Sequence, residues 1–364
     1  MNNKYKVAIL AGGPSTEHKI SLISAKSILK AINKENYEVF VIGIDHQTNW
    51  WWYPDEDFLT NPESVADIEL KNGGIGVRLD KNGDGPLLVD KNTQQAFKVD
   101  IFFPVLHGSY GEDGVLQGYL NAFNAAFVGV DLLAASAGMD KDIAKRIWTE
   151  AGIPVARSFT VRPHLMSEFS FQKIQAAFGM PVFVKPANAG SSVGVSKVEN
   201  KDDYDNALEE AFKFDKKVLV EEAVIGKEVE CAVLGNEFPE ASVLGEIIPK
   251  ASFYSFDAKY MDDDGASMAI PADVPENIAD KVKNYAILAF KALDCEGLSR
   301  VDFFVTAEGR IVLNEINTLP GFTSISMYPK LWEASGLPYS QLIDKLIQLG
   351  LARHARNQKL IKSV

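Results

Sequence analysis

Val182-Phe183-Val184-Lys185-Pro186 is a short apolar run that ends on a lysine, and the small-residue stretch Ala187-Asn188-Ala189-Gly190-Ser191-Ser192-Val193-Gly194-Val195 follows it. Small residues let backbone N–H groups approach phosphate oxygens, and a lysine at a strand end adds a point charge, so the segment reads as a phosphate grip. The Gly-Lys-Ser order of a Walker loop is absent, and a Gly-Ser stretch alone is equally the mark of an ordinary turn. A second group narrows the choice. Arg300-Val301-Asp302-Phe303-Phe304-Val305 and Ile311-Val312-Leu313-Asn314-Glu315-Ile316-Asn317 read as two adjacent strands joined by a short turn. They present Asp302, Glu315 and Asn317, three hard oxygen donors, and strand alternation puts Glu315 and Asn317 on one face. Such donors suit a magnesium ion shared with nucleotide phosphates, because magnesium keeps several waters and takes few protein ligands. A hairpin carrying solvated acids is the alternative. The polar strand end running into Asn317-Thr318-Leu319-Pro320-Gly321 favours a ligand-facing loop.

The elements that must carry these residues follow from patterning. A chain of 364 residues exceeds one ordinary core and predicts two or three domains with clefts between them. Lys6-Val7-Ala8-Ile9-Leu10-Ala11 ends in Gly12-Gly13 and leads into a helical pattern from Ile20 to Ile32, which reads as strand, glycine turn, helix. Buried strands at Val39–Ile44 and Asp100–Leu106 complete a parallel sheet with helical crossovers, whose ligands gather beyond the strands' carboxyl ends. Residues 45–98 read as an irregular, turn-rich insert. Its tract Trp50-Trp51-Trp52-Tyr53 could form an aromatic binding surface, but packing onto the neighbouring layer is the favoured reading. A helix from Asp140 to Ala151 and a Gly-Ile-Pro break open a small α+β domain that runs to Val220. Strands at Glu228–Leu234, Ser242–Ile248, Ser299–Val305 and Ile311–Ile316, with helices near Asn277–Ala292 and Tyr339–Ala352, make a third. The expected division is 1–138, 139–220 and 221–364.

Composition sets further bounds. With 46% hydrophobic and 24% charged residues, the chain has the balance of a soluble globular protein. Thirty-seven basic against 49 acidic residues give a formal net charge of −12, which repels nucleic acid and anionic membranes, so any phosphate binding is local. Cys231 and Cys295 have no metal-ligand spacing and read as small buried thiols. No signal-peptide pattern and no bilayer-spanning apolar run occur, which predicts a cytoplasmic protein with neither membrane nor nucleic-acid partner.

With these motifs in view, the chain resembles the ATP-grasp superfamily and, within it, the D-alanine–D-alanine ligases. The resemblance runs from Ala11-Gly12-Gly13-Pro14-Ser15-Thr16-Glu17-His18 to the Tyr339 helix. It passes through His107-Gly108-Ser109-Tyr110-Gly111-Glu112-Asp113-Gly114, Met139-Asp140-Lys141, Gly190-Ser191-Ser192-Val193-Gly194, the segment Phe253 to Tyr260, and Asn314-Glu315-Ile316-Asn317-Thr318-Leu319-Pro320-Gly321. Six motifs in one order carry more weight than any alone. The resemblance implies a three-domain ATP-grasp fold with an N-terminal parallel-sheet α/β domain. It also implies ATP-driven joining of two D-alanines through a D-alanyl acyl phosphate, for peptidoglycan precursor synthesis.

Residue by residue, the resemblance implies that Lys141 and Lys185 hold ATP phosphates and that Glu221, Val224 and Glu228 hold adenosine. Asp302, Glu315 and Asn317 would carry Mg²⁺ or Mn²⁺, two ions in all. Glu17 would anchor the ammonium of the first D-alanine with His107 beside the reacting groups, and Arg300 and the backbone N–H of Gly321 would form the oxyanion site. Ser326 and Lys259 would meet the second substrate's carboxylate. Tyr260, Glu17 and Ser191 would form the hydrogen-bonded network of dipeptide-forming members, with residues 251–262 as a loop that folds over the site. A homodimer is also implied. The stretch Ala187–Gly190 departs from the family, many members of which place charged residues there.

Overall fold

Three sheets, each built from a different pattern of apolar residues, organise the chain; the computed structural model describes residues 4–83, 85–249 and 266–361. In the first, Tyr5–Gly12 lies parallel to both Tyr37–Ile44 and Ile101–Pro104. Val7 through Ala11 are all fully buried, as a strand covered on both faces requires. The helix His18–Ala31 packs Leu22, Ala25 and Ile28 onto one face of it.

Residues 45–98 differ from the irregular insert expected. Four strands, Trp50–Tyr53, Ile75–Asn82, Gly85–Asp90 and Ala96–Lys98, extend the same sheet antiparallel to seven strands. The turn-rich sequence belongs to their connections, and the alternation that buries Val77 and Leu79 is short enough to be masked by them. Trp50 is buried with its ring centroid 6.3 Å from Phe102 and 5.6 Å from Tyr119, so the aromatic tract serves packing.

The second sheet is antiparallel, in the order Ser158–Val161, Val218–Glu222, Val182–Pro186, Ser196–Val198. The helices Phe171–Phe178 and Lys201–Ala211 close its apolar face through Ile174, Tyr204 and Leu208. Ahead of it runs the helix Lys141–Glu150. Asp140 caps that helix, its carboxylate accepting from the N–H groups of Asp142 and Ile143 at 3.1 Å each, so Lys141 is held at the first helical position.

The third sheet orders Ala266–Ala269, Glu240–Pro249, Lys227–Gly235, Gly297–Val305 and Ile311–Asn317, all antiparallel. Alternation assigns its two faces. Val229, Cys231, Val233, Val301 and Phe303 pack against the helix Glu276–Ala292. Ala232 and Leu234 point the other way, into a core shared with Ile9, Phe103, Phe322 and the helices Met327–Ala334 and Tyr339–Asn357. That shared core joins the first and third sheets. Cys231 and Cys295 are buried free thiols, and burial pushes Cys231 up to about 12. No described helix is long and apolar enough to cross a membrane.

Candidate active site

Strand register builds the acidic centre. Glu230, Asp302 and Glu315 lie opposite one another on three neighbouring strands, and Arg300 pairs with Asn317 in the adjoining row. All five share the face that carries Ala232 and Leu234 rather than the one that packs on the helix Glu276–Ala292. A register shift next to Asp302 inserts Asn314 as an extra residue, so Asn314 and Glu315 both line the adjoining cavity. Arg300 donates from Nε to Asp302 Oδ1 at 2.8 Å and from a terminal nitrogen to Oδ2 at 2.7 Å, with Glu230 Oε2 2.9 Å from its Nε. Burial disfavours the guanidinium charge, but Asp302 and then Glu230 outweigh it and hold the Arg300 pKa well above its ordinary value.

A cavity of about 800 Å³ opens between the second and third sheets. Lys141, Lys185, Glu221, Val224, Glu228 and Glu315 all line it. Its size and mixed lining suit a nucleotide-sized ligand. Lys185 Nζ is 2.8 Å from Glu221 Oε2, and Lys145, which sequence reasoning missed, is 3.1 Å from Oε1. All three are buried. Burial raises the Glu221 pKa, yet Lys145 and Lys185 more than reverse this and keep the carboxylate below its usual range. Lys141 Nζ donates to Ala189 O at 2.7 Å and lies 3.3 Å from Glu315 Oε2, tying the small-residue loop to the acidic row.

A smaller cavity, about 50 Å³, shares Lys141, Ala189 and Glu315 with this one, and Glu112, Gly190 and Asn317 also line it. Beyond it the first sheet contributes Glu17, buried, whose Oε1 accepts from Ser191 Oγ at 2.7 Å across 174 residues of sequence. Ser191 holds φ +50 and Ser192 φ +62, left-handed conformations that turn the loop back toward Glu17. His107 Nδ1 is 3.1 Å from Leu319 O, and its buried Nε2 has no hydrogen-bond partner among the described residues. Burial lowers its pKa, so the imidazole is neutral near pH 7.

Glu112, to which sequence reasoning gave no role, accepts from Gly108 N at 2.6 Å. Burial and then the nearby Glu17 carboxylate push its pKa up to about 8. Only the fold brings these two acids together. Ser326 Oγ accepts from Thr323 N at 3.1 Å and lies beside Gly321, 3.2 Å from where a Cβ on that glycine would stand. Ser326 opens the helix Met327–Ala334 without capping it by its side chain. Lys259, Tyr260 and the segment 251–262 lie outside the described residues.

The chemistry of the donor set fits magnesium. Among the described residues no group of three or more His, Cys, Asp or Glu could hold a metal alone. Asp302 and Glu315, paired in register with Asn317 one row on, instead offer the partial set that an ion completes with phosphate oxygens and water.

Comparison with known proteins decides the family. Residues 6–130 match the model described as the D-ala D-ala ligase N-terminus, and residues 147–348 match that of the D-ala D-ala ligase C-terminus. The chain belongs to the D-alanine–D-alanine ligase family. It is 49% identical over 362 residues to the D-alanine–D-alanine ligase of Shouchella clausii, covering 99% of this chain and 98% of that one. Among solved structures, the D-alanine-D-alanine ligase from Coxiella burnetii superposes with a TM-score of 0.87 at 37% identity, over 99% of this chain and 97% of that chain. The VanG D-Ala:D-Ser ligase from Enterococcus faecalis gives 0.84 at 36%, over 96% and 100%. As a D-alanine–D-alanine ligase family member the chain is an ATP-dependent ligase of mixed α/β, ATP-grasp architecture. The family models together cover all three sheets.

Proposed function

We propose that the chain joins two D-alanines into D-alanyl-D-alanine with Mg-ATP, releasing ADP and phosphate, as a step in peptidoglycan precursor synthesis. The observation that supports this reading is that Lys141, Ala189 and Glu315 line both the nucleotide-sized cavity and the smaller one, whose Gly190 adjoins the Ser191 that donates to Glu17.

In this reading Glu221, Val224 and Glu228 hold adenosine, and Lys141 and Lys185 hold the phosphates. Asp302, Glu315 and Asn317 hold Mg²⁺ or Mn²⁺, whose charge neutralises the transferring phosphoryl group when bound. Glu17, fixed by Ser191, pairs with the ammonium of the first D-alanine while His107 borders the reacting groups. A carboxylate oxygen of that D-alanine attacks the γ-phosphorus and ADP leaves. The amine of the second D-alanine then attacks the acyl carbon, sheds a proton, and phosphate leaves. Arg300 and the Gly321 N–H stabilise the tetrahedral oxyanion between these events. Ser326, at an uncapped helix N-terminus, receives the second carboxylate together with Lys259, and Tyr260 belongs with Glu17 and Ser191. The division into domains at about 138 and 220, a homodimer and a cytoplasmic location complete the proposal, without nucleic-acid or membrane partners.

The test incubates purified protein with Mg-ATP and, separately, D-alanine, L-alanine, D-alanine with D-serine, or D-alanine with D-lactate, following phosphate release and product mass. D-alanyl-D-alanine from the D-enantiomer alone is expected. Preferential formation of the D-serine or D-lactate product, or nucleotide binding without phosphate release, would overturn the reading.

A further inference from the structure

We propose that Glu230 is a positioning residue for Arg300, retaining the guanidinium at the oxyanion site when a metal ion engages Asp302. The inference rests on the ligase reading above. Both oxygens of Asp302 accept from Arg300 in this structure, at 2.8 and 2.7 Å. A carboxylate that also ligates a divalent ion has less negative charge and fewer lone pairs to offer a guanidinium, so Arg300 needs a second anionic partner to keep its place. Glu230 is that partner: its Oε2 lies 2.9 Å from Arg300 Nε.

The sheet makes the exchange short. Glu230 and Asp302 are directly opposed on adjacent antiparallel strands, so both carboxylates flank one guanidinium and a transfer of charge pairing needs little movement. Glu230 also sits in a row otherwise continued by the buried apolar Ala232 and Leu234, with only 5% of its surface exposed. An ionised acid in that row is costly without a cation beside it, and Arg300 stands within ion-pair distance. Asp302, Glu315 and Asn317 already form the proposed metal set, so the third carboxylate of the row has a different partner to serve.

The test uses the full chain with Glu230→Gln, which keeps size and polarity and removes the charge. Mn²⁺ binding to the ADP complex is titrated by electron paramagnetic resonance, with no turnover, and kcat and KM are measured separately. With Glu230 neutral, Arg300 leans more on Asp302 and competes harder against the metal, and the Mn²⁺ dissociation constant rises about five- to tenfold. At saturating metal kcat falls about ten- to a hundredfold through misplacement of Arg300, while KM for D-alanine stays within about twofold. Glu230→Asp, one methylene shorter, gives intermediate values and decides by the same readouts if Glu230→Gln does not fold. In an Arg300→Gln background, Glu230→Gln changes Mn²⁺ binding by less than about twofold, because its effect runs through Arg300. Unchanged Mn²⁺ affinity and kcat in the Glu230 variants would overturn the proposal, and so would an effect that persists without Arg300. Failure of the unmodified protein to form the dipeptide would count against the ligase reading instead, and the Mn²⁺ titrations would still report on Glu230.

Discussion

Replacing Ser191 by Ala tests how the second sheet's loop serves the amino-acid site. The lost interaction is a single hydrogen bond of 2.7 Å from the Ser191 hydroxyl to Glu17 Oε1, formed between residues 174 apart in sequence. Hydrogen bonds to charged groups contribute about 1.5–3 kcal/mol, so kcat/KM for D-alanine should fall about ten- to a hundredfold. Binding of ATP should change little, because its proposed contacts run through Lys141, Lys185 and Glu221 on the other side of the loop. Backbone strain needs separating from the hydrogen bond, since Ser191 holds φ +50. Ala carries the same Cβ and leaves that strain in place, whereas Ser191→Gly removes both strain and hydroxyl. Steady-state kinetics with D-alanine and ATP varied in turn, on both variants, should give the same loss in the D-alanine parameter. A rise in KM for ATP with D-alanine kinetics intact would refute the reasoning and make Ser191 part of the phosphate grip alone. Equal kinetics for Ser191→Gly and the parent would show that the hydroxyl is not what aligns Glu17.

Arg300→Lys keeps the charge but not the fork that spans Asp302; kcat should fall about a hundredfold or more, the loss of one oxyanion donor, and a change under threefold by stopped assay would exclude Arg300 from the oxyanion site. For Glu112 the folded-state pKa of about 8 exceeds the ordinary glutamate value of 4.5, so between them the folded protein keeps a proton that the unfolded chain sheds. Stability from this group is therefore complete below pH 4.5 and declines as pH rises toward 8. Glu112→Gln should flatten the melting temperature of the ligand-free protein across that window, and parallel profiles for the two proteins would contradict the assignment. At Gly12, φ is +98 and an added Cβ would meet Ile44 O at 2.3 Å, a backbone atom that cannot turn aside. Gly12→Ala should cost about 2 kcal/mol or more in urea unfolding, and a midpoint matching the parent would show that the strand end can relax.

What the sequence determined by itself is local. Lys185 at a strand end, the Asp302 and Glu315 hairpin, the helix from Asp140 and the Lys6–Ala11 strand are legible because periodicity and turn residues act over a few neighbouring positions. The family motifs added Glu17, Ser191 and Arg300 as candidate site residues. Tertiary structure alone decided the rest. The strands between 50 and 98 were hidden because a short alternating pattern is weak when turns interrupt it, and only pairing strand by strand, outward from Trp50–Tyr53 on Tyr37–Ile44, gives it partners. Asn314 enters the cavity lining through a register shift that alternation cannot foresee. Glu230 is an unremarkable acid in sequence; strand pairing sets it opposite Asp302 and beside Arg300, 70 positions along the chain. Glu112 takes a raised pKa only when the fold buries it and then brings Glu17 beside it. Charges interact through space, and the distances that set their energies are fixed by which strands pair and which faces pack together.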